Sequence, residues 1–395
     1  DGYLAAKPGF YSQDIRVLSA IALGMALVGY LAFILGASVG TRFAVRPSTK
    51  PFRDYRLLAI ICLVFIAIAT LNFAANVILI SDGSVLRYLS EIAIRPYQIA
   101  DNKGVTASGY LFGIIGVQVL AFLIGRKGSS KRVLVGLITL VLIVTVIRFS
   151  QARIFQTLVL VCGSYVSYVM GVALREGRHT PWLGHFHYLL GAAAFGVGIY
   201  FLRLASSLRQ IGVEINLQTV VDFSGQILHF ALQRGNVPNF PIVFTIIDKM
   251  PSEESFLFGK TLFNWAIFLV PKAILKGDYL ISLWVKKTWY LDVEGGGLPP
   301  TAIGEWYANF GFAGIVVGMF VVGLAVGTLY KFAVSSESPY LAVLWADVVF
   351  GFVVIYPKTD LAQIPIYSIF MLLCLWLLMT ALQSGTRSHV DPSYR

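Results

Sequence analysis

Gly295-Gly-Gly-Leu-Pro-Pro-Thr-Ala-Ile-Gly-Glu-Trp-Tyr-Ala-Asn-Phe-Gly-Phe-Ala-Gly314 runs without interruption into an apolar segment that continues to about residue 330. Its first six residues cannot be helical: Gly loses the most backbone entropy on ordering, and Pro has no amide hydrogen to donate. The stretch therefore reads as a loop feeding a membrane helix, with Glu305 near the mouth of the span. Two readings of Glu305, Trp306, Tyr307 and Asn309 are open. Trp306 and Tyr307 belong either to an aromatic belt beside a solvated helix-start acid, or to an interfacial site.

Working outward, similar apolar runs recur. The chain has 395 residues, of which 57% are hydrophobic and 13% charged, far from the composition of soluble domains. Runs of about 17–25 apolar residues are long enough to cross roughly 30 Å of hydrocarbon as helices, whereas barrel strands would be shorter and would alternate. The expected fold is an all-α polytopic integral membrane protein. The first six runs cover about residues 17–40, 57–80, 110–124, 133–147, 154–174 and 182–202, and the last three cover 301–330, 340–356 and 364–382. That gives about nine transmembrane helices. The organisation is a six-span bundle over 1–202, a large external loop over 203–300, and a three-span bundle with a polar tail over 301–395.

Charge orients these runs. The segments carrying Arg42, Arg46, Lys50, Arg53 and Arg56, and then Arg126, Lys127, Lys131 and Arg132, are purely basic. The segment around Asp82, Arg87, Glu91, Arg95 and Asp101 is mixed. Because lysine and arginine collect in cytoplasmic loops, the basic segments face the cytoplasm and the mixed one faces outward. The C-terminus is then cytoplasmic and Asp1 lies outside, as expected if a further span precedes it. Within the large loop, 217–232 and 261–275 have helix-like spacing with mixed polarity, which predicts amphipathic surface or re-entrant helices.

A net charge of +11 raises the possibility of nucleic acid. No basic stripe with interleaved aromatics accompanies it, and the excess follows from loops on one side of a membrane. Cys62, Cys162 and Cys374 lie inside apolar runs and read as small hydrophobes, with no disulfide framework. His185-x-His187 lacks a third ligand, so no metal site is expected, and no nucleotide loop or Ser-His-Asp set is present. Any chemistry must then draw on an activated, membrane-borne donor, without a cofactor.

Arginines at the outer rim carry the sharpest signal. Arg148 and Arg153 flank a turn between two spans, and Arg203 and Arg209 leave the sixth span on the same side. Positive charge is disfavoured there unless it is paired or functional. The guanidinium fork grips phosphate oxygens bidentately, which suits a lipid pyrophosphate at the interface. Contacts to phospholipid head groups, or to Glu214, Asp222, Glu253 and Glu254, are the structural alternative. Lys272, Lys276, Lys286 and Lys287 form a second outer basic group, with snorkelling as its alternative. His229, within Gln226-Ile-Leu-His-Phe-Ala-Leu-Gln-Arg234, is eligible as a general base or as a structural residue.

Phe256-Leu-Phe-Gly-Lys-Thr-Leu-Phe-Asn-Trp-Ala-Ile-Phe-Leu-Val-Pro-Lys272, followed by Gly295 to Gly311, resembles the matching stretches of the Wzy-type oligosaccharide repeat-unit polymerases, the O-antigen and capsule polymerases. The motifs cover under a fifth of the chain, whereas the pattern of many spans and one large loop covers nearly all of it. The resemblance implies a bundle related to the GT-C glycosyltransferases. It implies transfer of a growing glycan from undecaprenyl pyrophosphate to the nonreducing end of a new lipid-linked repeat unit, without metal, on the outer face of the bacterial inner membrane. Its partners would be undecaprenyl-pyrophosphate-linked oligosaccharides, membrane lipids and a chain-length regulator protein. Carried onto this chain, the family's site residues are Arg153, Lys272, Glu305, Tyr307 and Asn309. The chain has Pro271-Lys272 where many relatives have Pro-Arg, and Ile154 where a glycine commonly follows the arginine. An O-antigen ligase would use the same donor, while a transporter of polysaccharide or lipid intermediates would need polar residues spread through its spans.

Overall fold

The computed structural model describes residues 10–43, 55–81, 83–84, 109–128, 130–149, 154–177, 240–262, 280–291, 298–336, 338–350 and 372–380. Every regular element among them is an α-helix. They are α1 (Ile15–Gly40), α2 (Tyr55–Ser81), α3 (Gly109–Lys127), α4 (Lys131–Phe149), α5 (Ile154–Glu176), α6 (Phe240–Lys249), α7 (Ile281–Trp289), α8 (Thr301–Ser336), α9 (Pro339–Phe350) and α10 (372–380). Three of them, α1, α2 and α8, are long and apolar enough to cross a membrane. The chain is thus a helical membrane protein. The expected run 182–202 lies outside the described residues, as do the expected loop helix 217–232 and most of 261–275, whose first two residues form a turn.

The chain divides into two compact units. Unit 1 comprises Asp1–Val45, Glu214–Lys331 and Gly351–Ile366, and unit 2 comprises Arg46–Val213, Phe332–Phe350 and Tyr367–Arg395.

In unit 1, α1 starts at Asp14, whose carboxylate accepts from the amide of Arg16 and so satisfies one of the helix's orphan donors. It runs parallel to the span portion of α8 along a seam of small residues. A Cβ on Gly36 would strike the Phe320 carbonyl, one on Gly40 the Leu324 carbonyl, and one on Gly327 the Ala37 carbonyl. Gly36-x-x-x-Gly40 and Gly323-x-x-x-Gly327 are spaced four apart, so on each helix both glycines lie on one face and the backbones approach closely. Such packing replaces the hydrophobic driving force that lipid does not supply. Away from this seam α1 exposes Leu23, Leu27, Tyr30, Leu31 and Leu35, as expected of a lipid-facing surface.

In unit 2 the centre is α3, which is buried over most of its length. It runs antiparallel to α2, with Gly116 against the Cys62 carbonyl and Gly113 against Ala69, and parallel to α5, with Gly125 against the Tyr168 carbonyl and Gly171 against the Phe122 carbonyl. At their common end each helix caps the other. Arg126 Nη1 donates to the Leu174 carbonyl at 2.6 Å, and Arg175 Nη1 donates to the Gly125 carbonyl at 3.2 Å. Guanidinium groups there satisfy terminal carbonyls and oppose the negative end of the helix dipole.

Candidate functional site

The stretch that the sequence singles out does not form one straight helix. Residues 298–300 are irregular and helix begins at Thr301 as expected, but at Phe310 (φ −142°, ψ 15°) and Gly311 (φ 65°, ψ −155°) the backbone leaves helical geometry. In an unbroken helix Trp306 and Gly318 would stand about 18 Å apart at 1.5 Å per residue. Instead the indole of Trp306 occupies the space that a Cβ on Gly318 would need, and Ile303 and Ile315 both approach Gly29 of α1. The half-helix 301–309 therefore folds back on the span that follows. Gly311 supplies the left-handed φ at the fold, a conformation that costs a residue with a Cβ more than it costs glycine.

Glu305 lies on this half-helix at 1% exposure, with Ala308 and Asn309 both at 0% on the same face. Of the two readings left open for Glu305, the solvated acid at a helix start is therefore not the one observed, because the side chain is buried. The surrounding core is built by α6 and α7. Ile242, Ile246 and Met250 pack with Ile281, Val285 and Ala308, and Tyr307 touches both this cluster and a second one formed by Leu18, Ala22, Val243 and Ile247. Gly304 makes this approach possible, because a Cβ there would meet Pro300 at 2.8 Å and Val243 at 3.4 Å.

Asn309 is a latch. Its Oδ1 accepts from the Gly259 amide at 2.9 Å, and its Nδ2 donates to Thr261 Oγ1 at 2.7 Å and to the Glu305 carbonyl at 2.8 Å. Two backbone bonds flank it, from the Leu257 amide to the Ala308 carbonyl (2.9 Å) and from the Phe258 amide to the Asn309 carbonyl (3.0 Å). The turn 257–261 is thus clamped to the half-helix. It holds Phe258 at φ 47° with its ring 72% exposed. Tyr307 donates to the Met250 carbonyl at 3.4 Å and stands edge-on to Phe256.

The N-terminal segment is tied to the same core. Asp248 accepts from the Ser12 amide at 2.8 Å, from Ser12 Oγ at 2.5 Å and from the Gln13 amide at 3.2 Å, while Tyr11 donates to the Pro241 carbonyl. Tyr290, at the end of α7, shares a hydrogen bond of 2.6 Å with Thr245. Burial pushes its hydroxyl well above the ordinary tyrosine range, and the Thr245 bond only partly offsets this.

Of the residues expected to carry function, the structure brings Glu305, Tyr307 and Asn309 together. Arg148 sits in the last turn of α4, its side chain outside the described residues. His229, Arg153, Arg203, Arg209 and Lys272 lie outside the described residues entirely. Lys286 and Lys287 occupy the last turn of α7, where positive charge meets the negative end of the helix dipole. Sequence reasoning missed α6 and α7, which at 10 and 9 residues are too short to stand out by length. It also missed Asp248 and the latching role of Asn309. No family model, curated protein or solved structure matches this chain.

Proposed function

We propose that the chain is a multi-pass polymerase of lipid-linked oligosaccharides in a bacterial inner membrane, with about nine spans and its site facing outward. The reading rests chiefly on Glu305, a carboxylate 1% exposed on a half-helix that breaks from its span at Gly311, inside the stretch that resembles the repeat-unit polymerases. In membrane proteins an ionisable group buried at a helix break marks a functional site by default. The acceptor sugar hydroxyl must lose a proton as it attacks the anomeric carbon. Glu305 is the base in this reading, and the fold at Gly311 is where the half-helix moves to admit substrate. The leaving pyrophosphate takes up negative charge, which the arginines at 148, 153, 203 and 209 and Lys272 would neutralise. Tyr307 and Asn309 hold the wall rather than touch the reacting atoms.

The test is incubation of the purified protein with an undecaprenyl-pyrophosphate-linked repeat unit, scored for longer oligomers. The wild type should produce a ladder. Glu305→Gln, which keeps shape and removes charge, should produce single units only, as should Arg153→Ala and Arg209→Ala. A wild type that never extends the unit would overturn the polymerase reading, and full polymerisation by Glu305→Gln would remove Glu305 as base.

A further inference from the structure

Basic side chains gather at one end of unit 2. Helix α3 finishes on Arg126 and Lys127, and after a turn at Gly128 (φ 76°) α4 starts on Lys131 and Arg132. A Cβ on Gly128 would meet Arg175 Nη1 at 2.8 Å, so the end of α5 lies against this turn. Helix α2 runs antiparallel to α3 and therefore begins at the same end, with Arg56 in its first turn. Among the described residues of these four helix ends Glu176 alone is acidic, and it pairs with Arg175 at 3.1 Å. Arg126 and Arg175 are committed to terminal carbonyls of the neighbouring helix. Arg56, Lys127, Lys131 and Arg132 are exposed, and among the described residues none of the four has an ion-pair partner.

We propose that this end of unit 2 binds anionic phospholipid, its headgroup phosphate held by Arg56, Lys127, Lys131 and Arg132 and its acyl chains laid along the apolar flanks of α2 and α4. Charge is the first reason. Each Lys or Arg near a membrane surface strengthens attachment to anionic lipid about fivefold, and here four exposed ones act together. The helix ends add to the field in the same sense. The starts of α2 and α4 carry the positive ends of their dipoles, while guanidinium groups offset the negative ends of α3 and α5. Continuity with a greasy surface then selects lipid over other polyanions. Directly beyond the basic residues α2 exposes Ile60, Leu63 and Val64, and α4 exposes Val133, Val135 and Ile138, each to about half of its full area. A free phosphate or a nucleic acid would use the charge and leave that surface uncovered, whereas a phospholipid matches both parts. This site is independent of the polymerase reading.

The experiment is displacement of a fluorescent phosphatidylglycerol from the purified, delipidated full chain in a zwitterionic detergent. Unlabelled phosphatidylglycerol should displace it, while phosphatidylcholine and inorganic phosphate at the same concentration should not. Replacing Lys127, Lys131 and Arg132 together by Gln should weaken binding about a hundredfold, and Arg132→Gln alone about fivefold. Displacement by phosphatidylcholine, by inorganic phosphate or by a short RNA duplex as effective as that by phosphatidylglycerol would overturn the proposal, as would undiminished binding in the triple variant. If the triple variant fails to fold, the competitor series on the wild type and Arg132→Gln still decide the matter.

Discussion

Removing the Asn309 side chain is the most direct test of how the candidate site is held. In Asn309→Ala the Gly259 amide loses its acceptor, while Thr261 Oγ1 and the Glu305 carbonyl lose a donor, all in a region where Asn309 is 0% exposed. Hydrogen bonds in membrane bundles average about 0.6 kcal/mol each, which sets a floor of about 2 kcal/mol for three. Leaving a buried donor or acceptor unmade costs about 1–3 kcal/mol, so the loss should lie between about 2 and 5 kcal/mol. Asn309→Asp separates the bonds. It keeps the acceptor for Gly259 and allows Thr261 to donate instead, but it turns an acceptor toward the Glu305 carbonyl and buries a charge. It should therefore be at least as unstable as the alanine variant. Denaturant unfolding in detergent, read with amide exchange at residues 257–261, measures both the size and the place of the effect. A loss under about 1 kcal/mol, or unchanged exchange of the turn, would refute the latch.

Two further outcomes follow from the packing and the titrations. Gly36→Ala should destabilise strongly, because its Cβ meets the Phe320 backbone, whereas Gly24→Ala on the same helix has nothing within 4 Å and should gain about 0.5–1 kcal/mol of helix stability. Comparing their midpoints isolates the seam from helix propensity. Burial raises the pKa of Tyr290, so the folded state favours the neutral phenol. That contribution is fully present below the unfolded value of about 10 and is lost as pH climbs beyond it. Tyr290→Phe should flatten the alkaline limb of a stability-versus-pH curve, while losing the Thr245 bond at neutral pH.

Much of the helical architecture is legible in composition alone. Residues 17–40 and 57–80 become Ile15–Gly40 and Tyr55–Ser81, and 133–147 becomes Lys131–Phe149. The helices outrun the apolar runs because Lys131 and Arg132 start α4, and Arg126 and Lys127 finish α3, without breaking the backbone bonds. The fold-back at Gly311 was not legible. Glycines at 304, 311, 314 and 318 look alike in sequence, and only the backbone angles and the contact between Trp306 and Gly318 single out 311. The four-residue glycine spacings at 36–40 and 323–327 were readable signals of close helix packing. Their partners were not, because spacing fixes a face without naming what meets it. Asn309 carries a similar ambiguity: next to an acid it reads as a site residue, and only the distances to Gly259 and Thr261 make it a latch.

Of the three buried carboxylates of the described helices, Glu305 in unit 1 and Asp347 in unit 2 invite the same substitution and separate its meanings. Carboxylate to amide preserves volume while removing charge and adding donors. If a carboxylate serves only to pair with neighbouring groups, the amide variant loses stability in every salt and activity falls in proportion to the folded fraction. A carboxylate that takes a proton from substrate instead leaves a folded protein with no turnover. Measuring folding and turnover together on Glu305→Gln and Asp347→Asn therefore assigns each acid by its pattern of losses.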